Sequence, residues 1–176
     1  MRVIAGTLKG RRLWAPPPGN QRVRPTSDRA REALFSILQR WPSGPFLDLC
    51  AGTGAVGVEA RSRGYDPVTC VEAAEPGWSC LQKNIENTTV KPLRADLLRL
   101  KESSFVGQAV IFLDPPYEQA ETLWAQSASR LRHWIAPDGV LVFETERQTA
   151  LELQLGWALA ETREYGTARF HFWTPS

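Results

Sequence analysis

The stretch Leu47-Asp48-Leu49-Cys50-Ala51-Gly52-Thr53-Gly54 decides how this chain folds. Residues 46–50 form a short apolar run of the kind that makes a buried strand. The glycines after it make a tight turn, and residues 55–63 carry a helical pattern that Gly64 stops. Strand, glycine turn and helix in that order open a βαβ unit. Gly52-Thr53-Gly54-Ala55-Val56-Gly57 matches G-x-G-x-x-G, and Glu72 lies 20 residues beyond Gly52, the spacing of a cofactor loop and its ribose acid. Glycine suits such a loop because the backbone turns sharply and meets a ligand with no Cβ in the way. A tight turn that binds nothing would use the same glycines.

Outward from this unit the alternation continues. Residues 68–71 read as a strand, about 76–87 as a helix, and 91–94 and 109–113 as strands. A helix at about 119–134 follows, with Trp124, Ala128, Leu131 and Ile135 on one face, and then a strand at 140–143. Two last strands, about 157–164 and 168–173, join at Tyr165-Gly166-Thr167. Upstream, Thr26, Ser27 and Asp28 are helix N-cap types, and Ala30, Ala33, Leu34, Ile37 and Leu38 recur on one helical face. Residues 2–14 alternate enough for a short hairpin turning near Gly10, and 15–25 make a proline-rich connection.

The expected fold is therefore α/β: a doubly wound, mostly parallel, seven-stranded sheet covered on both faces and closed by a C-terminal antiparallel hairpin. With 176 residues, 43% of them hydrophobic and 23% charged, one globular domain is expected. Residues 1–25 are its basic hairpin and arm, and 26–176 its core.

Cys50, Cys70 and Cys80 are odd in number, lack C-x-x-C spacing and lie in or beside apolar segments, so they read as reduced thiols of a cytoplasmic protein. Only His133 and His171 are available as imidazole ligands, neither near a cysteine in sequence, and no metal site is expected. No run approaches ~18 apolar residues and no apolar signal core opens the chain, which predicts a soluble protein without a membrane partner.

The net charge of +2 hides an asymmetry. Residues 1–40 hold nine Lys or Arg against Asp28 and Glu32, a balance of +7, which leaves −5 for the remainder. Lys9, Arg11, Arg12, Arg22, Arg24, Arg29 and Arg31 are interleaved with glycines and prolines, which excludes one long helix and suggests an arm able to follow a phosphate backbone. A solvated surface is the plainer account of the same charges. Arg31 has a further possibility, since it sits early in a predicted helix and could face a cofactor carboxylate.

Asp48, Glu72, Asp96 and Asp114 all fall at or just after predicted strand ends, the edge at which open α/β sheets bind ligands. Carboxylates around one crevice repel the pyrophosphate of a nicotinamide dinucleotide and attract the sulfonium and ammonium of S-adenosylmethionine. Glu72 offers two acceptor oxygens to the two ribose hydroxyls. Asp96 is placed to reach an adenine amine, though an acid after a short strand is also common.

Asp114-Pro115-Pro116-Tyr117 is the second informative stretch. Two prolines straight after a buried strand remove two amide donors and hold the chain extended, leaving the Pro115 carbonyl to point into the cleft. An exocyclic base amine is a poor nucleophile because its lone pair is delocalised into the ring. Two acceptors, the Asp114 carboxylate and a backbone carbonyl, can hold its hydrogens and favour the pyramidal nitrogen that attacks a methyl group. Tyr117 is suited to stack on an unstacked or flipped base. A strand-ending turn with a core tyrosine is the structural alternative.

Val3-Ile4-Ala5-Gly6, Lys9-Gly10-Arg11-Arg12-Leu13, Arg24-Pro25-Thr26 with Asp28-Arg29 and Arg31-Glu32, the Asp48 to Gly54 loop, Asp114-Pro115-Pro116-Tyr117 and Tyr165-Gly166-Thr167 together resemble the bacterial RsmD-like 16S rRNA guanine-N2 methyltransferases. The resemblance covers nearly the whole chain. It implies a class I methyltransferase fold, S-adenosylmethionine as donor and a guanine N2 of small-subunit ribosomal RNA as acceptor. By position it assigns Asp48, Gly52, Gly54 and Glu72 to the cofactor and Asp114, Pro115, Pro116 and Tyr117 to the base; Ala51 and Thr53 of the same loop, with Asp96 and Asp114 at their strand ends, complete the expected cofactor set. It departs from the pattern at Ala74, a position often polar in similar proteins.

The expectation is thus a monomeric RNA methyltransferase whose partner is ribosomal RNA or the small-subunit particle. Asp114 orients the amine more than it acts as a strong base, because an exposed Asp near its reference pKa of ~3.9 is weakly basic. The alternatives are an adenine-N6 nucleic-acid methyltransferase, an NAD-dependent oxidoreductase and a non-catalytic RNA-binding factor.

Overall fold

The computed structural model describes residues 1–16 and 27–176. Strands β1 (Phe46–Leu49), β2 (Val68–Glu72), β3 (Lys91–Arg94), β4 (Gln108–Leu113), β5 (Ile135–Glu146), β6 (Trp157–Tyr165) and β7 (Ala168–Pro175) form one sheet. Their order is β3-β2-β1-β4-β5-β7-β6. The first five strands are parallel, and β7 runs antiparallel between β5 and β6. Helices α1 (Asp28–Leu38), α2 (Ala55–Ser62), α3 (Gly77–Ile85) and α4 (Ala120–Trp134) cover it.

Alternation along the strands sorts the core into two layers. Phe46, Val68, Val110, Phe112, Val142 and Phe172 pack with Leu34, Phe35 and Leu38 of α1, Val56 and Ala60 of α2, and Leu81 of α3. Leu47, Val71, Ile111, Leu141, Phe143 and Trp173 face Trp124, Ala128 and Leu131 of α4. Burial on both faces is why the central strands read as unbroken apolar runs. Each such side chain contributes about 1.5–3 kcal/mol by leaving water. No helix among the described residues is long and apolar enough to cross a membrane.

Ser27 caps α1, its hydroxyl oxygen accepting a hydrogen bond from the Ala30 amide at 3.1 Å. Thr26, the other hydroxyl candidate, lies outside the described residues, as do Arg22, Arg24 and most of the proline-rich connection. One strand is much longer than its pattern suggests. β5 begins at Ile135, which is its first residue and not the end of the α4 stripe. Pro137, Asp138 and Gly139 look like a turn, and they do go unpaired, but β5 pairs with β4 on both sides of them, Ile135 with Gln108 and Val140 with Val110, across a register shift. Gly139 makes this possible, because a Cβ there would lie 2.8 and 2.9 Å from the Gln108 and Ala109 carbonyl oxygens.

The N-terminal residues form the expected ribbon. Arg2 bridges Arg12, the Val3 amide donates to the Arg11 carbonyl at 3.0 Å, and the Leu13 amide donates to the Met1 carbonyl at 3.1 Å. The described part of the ribbon packs on the core. Val3 and Leu13 are buried against Ala55 and Val58 of α2. Glu59 accepts the Ile4 and Ala5 amides at 2.7 and 3.0 Å, and Ser62 accepts the Thr7 and Leu8 amides at 2.8 and 2.9 Å. Gly6 is required by this docking, since a Cβ there would lie 1.8 Å from the Ser62 carbonyl oxygen.

Candidate active site

The turn after β1 winds tightly. Cys50, Gly52 and Gly54 all have positive φ, at 57°, 54° and 75°. Glycine adopts this conformation freely, but a non-glycine residue there costs of order 1 kcal/mol, so Cys50 is held in place by its surroundings. The Ala51 amide donates to the Val71 carbonyl at 2.9 Å, and the Gly54 amide to the Ala51 carbonyl at 2.7 Å. Gly54 then caps α2. Gly57, one turn into α2, admits no side chain: a Cβ would fall 2.1 Å from Cys70 Sγ.

The acids around this turn play different parts. Glu72, at the end of β2, accepts the Gly52 amide at 2.7 Å with Oε2 and the Ala74 amide at 2.8 Å with Oε1. Each oxygen keeps a further lone pair for a ligand hydroxyl. Asp48 lies beneath the turn, 1% exposed, and Oδ2 accepts the Gly57 amide at 2.9 Å and the Cys70 thiol at 3.8 Å. Burial, reinforced by the nearby Asp114 and Glu72 charges and opposed by the Gly57 hydrogen bond, pushes its pKa up to about 8. Asp48 is therefore mostly protonated at neutral pH and braces the turn from below, in contrast to its expected place among the charges lining the crevice. Asp96 accepts the Leu98 amide at 2.9 Å, capping a short 3-10 turn, with its side chain about half exposed.

These acids all act on Cys50. Its thiol is pushed well above the usual range by burial and then by Glu72, Asp114, Asp48 and Asp96, so all four acids lie within electrostatic reach of one residue. β1 and β4 are adjacent and parallel, with Leu49 opposite Leu113. The Asp114 amide donates to the Leu49 carbonyl at 3.4 Å, which sets Asp114-Pro115-Pro116-Tyr117 beside the glycine turn. Asp114 and Tyr117 are half-buried, Pro115 is buried, and Pro116 is exposed and extended at φ −52°, ψ 131°.

The basic residues divide. Lys9, Arg12 and Arg29 are exposed. Arg11 is turned inward, donating to the Asn84 carbonyl at 3.2 Å and to the Glu86 carbonyl at the end of α3. Arg31 corrects both of its expected roles, as an RNA contact and as a partner of the cofactor acid. Its side chain is 0% exposed, donates to the Arg2 carbonyl and to Asp28 at 3.0 Å, and lies 3.6 Å from Glu59. It therefore fastens the N-terminal ribbon to α1 and α2.

Asn84 has no counterpart among the residues that the sequence pattern singles out. Its side chain is buried and donates to the Thr53 carbonyl at 2.8 Å and the Trp14 carbonyl at 2.9 Å, while accepting the Trp14 amide. One amide thus ties the N-terminal ribbon to the glycine turn. A lone Asn in an amphipathic helix carries no sequence signal for such a bridge.

A parallel sheet with β7 reversed between β5 and β6, and a glycine turn leaving β1, defines the class I methyltransferase fold. The chain is 30% identical to the Haemophilus influenzae protein named Ribosomal RNA small subunit methyltransferase D, over 98% of this chain and 93% of that protein. It is also 30% identical to the Escherichia coli protein of that name, over 98% of this chain and 89% of that protein. The solved structure of a hypothetical protein from Thermus thermophilus matches with a TM-score of 0.82 at 26% identity, covering 98% of both chains. The model of the family described as Conserved hypothetical protein 95 matches residues 1–174, and the chain belongs to that family. The resemblance read from the motifs is borne out.

Proposed function

We propose that this protein transfers a methyl group from S-adenosylmethionine to the exocyclic N2 amine of a guanine in small-subunit ribosomal RNA. The observation that carries this reading is the register of β1 against β4, which sets the glycine turn and Asp114-Pro115-Pro116-Tyr117 side by side at one sheet edge. The names of the relatives, which specify small-subunit ribosomal RNA, support the choice of substrate.

The residues present fit the cofactor. Gly77 opens α3 against the turn with room for no side chain to spare, a Cβ there standing 3.2 Å from Gly52 and from the Glu72 carboxyl. Ala51 and Gly52 remain partly exposed at the turn, whereas Thr53 and Gly54 are buried behind it, a Cβ on Gly54 falling 2.3 Å from Leu81 Cδ1. Glu72 takes the ribose hydroxyls, Asp96 the adenine side, and Asp48 holds the turn in shape from beneath. Glu72, Asp96 and Asp114 supply negative potential that favours a cationic ligand over a dinucleotide pyrophosphate.

When bound, S-adenosylmethionine supplies an electrophilic methyl group on a sulfonium. Asp114 and the Pro115 carbonyl accept the two hydrogens of the guanine amine, which localises its lone pair on nitrogen. Tyr117 stacks on the flipped base and fixes the ring. The amine nitrogen would take that methyl group, and Asp114 stands where the amine's proton would leave toward water. No strong base is needed, because the methylated ammonium is acidic.

Nucleoside mass spectrometry on ribosomal RNA from a strain lacking this protein tests the assignment. One N2-methylguanosine should vanish from small-subunit RNA and return with the intact gene but not with an Asp114→Ala copy. Loss of N6-methyladenosine instead, or an unchanged profile, would overturn it.

A further inference from the structure

We infer that Trp14 is a stacking platform for an unpaired RNA base next to the one that is methylated; this rests on the proposed RNA substrate. Trp14 is 62% exposed, while the other six tryptophans are buried or half-buried. An exposed indole is unfavourable in water and is suited to cover a partner. Alternation along the N-terminal ribbon explains its direction. Leu13 points into the core, so Arg12 and Trp14 share the outer face, two residues apart.

Charge complements the ring. Lys83 Nζ of α3 stands 5.0 Å from the ring centroid, and Arg12 is exposed beside it on the ribbon. Lys83 thus covers one face of the ring, and single-stranded nucleic acid suits what remains, the opposite face taking a base and the cations its phosphates. The platform is also held rigid. Asn84 bonds both the amide and the carbonyl of Trp14, and its second amide hydrogen holds the Thr53 carbonyl in the glycine turn. The backbone that carries the ring is therefore tied to the turn through one side chain, so less of it is left to order on binding.

The test compares Trp14→Tyr with Trp14→Leu, since both keep bulk but only one keeps a π face. Binding of a single-stranded oligoribonucleotide is followed by intrinsic fluorescence, and methyl transfer to small-subunit particles by kcat and KM. The wild type should be quenched by the oligonucleotide. Trp14→Leu should lose that quench and raise the RNA KM about 5- to 140-fold, the equivalent of ~1–3 kcal/mol at ~1.4 kcal/mol per factor of ten. Trp14→Tyr should stay near wild type in KM, and S-adenosylmethionine affinity should be unchanged in both. Equal KM values for the Leu and Tyr variants, in an enzyme that does methylate the particle, overturn the Trp14 assignment alone. A wild type that transfers no methyl group to ribosomal RNA overturns the substrate assignment and this one with it.

Discussion

Glu59 and Glu72 are both glutamates anchored by two backbone amides, and the difference between their settings separates the scaffold from the site. Glu59 is fully buried, accepts Ile4 and Ala5, and also meets Arg63 at 2.8 Å and Arg31 at 3.6 Å. Its charge is cancelled where it sits. Glu72 accepts Gly52 and Ala74, two dipoles that orient a carboxylate without neutralising it. A neutralised acid fastens one segment to another, whereas an acid held by amides alone still projects negative potential into the crevice at its strand end.

The largest effect expected from breaking this contrast falls on the scaffold. Glu59→Ala removes one of the two acids beside a fully buried Arg31, deprives Arg63 of its partner and frees the Ile4 and Ala5 amides. Removing one partner of a buried pair costs about 3–5 kcal/mol, which a denaturant midpoint measures. The folded fraction at low temperature should still bind S-adenosylmethionine. On the site side, Asp114→Ala should cost less stability than Glu59→Ala while slowing single-turnover methyl transfer about 10²–10³-fold, as loss of one preorganised polar group does elsewhere. A slow but normally stable Glu59 variant, or an unstable but fast Asp114 variant, would invert the division.

How much of this was legible in the sequence follows the range of the interactions. The apolar runs of β1, β2 and β4, the glycine turn and Asp114-Pro115-Pro116-Tyr117 are local patterns, and a chain can be read locally. Residues that act across the fold are silent. Glu59 and Arg31 look like surface charges on two amphipathic helices, 28 residues apart, and only their packing together reveals a clasp. Asn84 is silent for the same reason. The early start of β5 was hidden because Gly139 signals a turn by composition, while its actual use is to let one strand approach another.

A smaller effect is expected at the cofactor acids. Glu72→Ala should weaken S-adenosylmethionine binding by about 1.5–3 kcal/mol, the range for hydrogen bonds to a charged group, measured by calorimetry. NAD should bind neither protein. Asp48 contributes differently because it is protonated in the fold. Its pKa is 3.8 in the unfolded chain and about 8 when folded, so the folded state holds the extra proton between those values and stability falls as pH rises through that window. The slope from this one group is at most ~1.4 kcal/mol per pH unit and ends above pH ~8. Asp48→Asn keeps an acceptor for the Gly57 amide and has nothing to titrate, so its stability should decline less between pH 5 and 8. Parallel curves for the two proteins would mean that Asp48 is ionised in the fold and belongs with Glu72.

The smallest effect separates the arginines as the first comparison separated the acids. Arg31 and Arg11 are spent on carbonyls and carboxylates of the scaffold, whereas Lys9, Arg12 and Arg29 remain at the surface. If those three meet ribosomal RNA, replacing all of them with Ala should weaken RNA binding and leave stability and cofactor affinity alone. Each lost phosphate contact should also flatten the plot of log K against log salt by about 0.7–0.9, because fewer counterions are released. A flattening of roughly 2–3 in the triple variant therefore counts the contacts directly. Arg31→Ala should do the reverse, lowering stability while leaving the salt slope of the protein that still folds unchanged. An unaltered slope in the triple variant, on naked RNA and on small-subunit particles, would return these charges to an ordinary solvated surface and leave Trp14 with Lys83 as the only nucleic-acid contact proposed among the described residues of the N-terminal face.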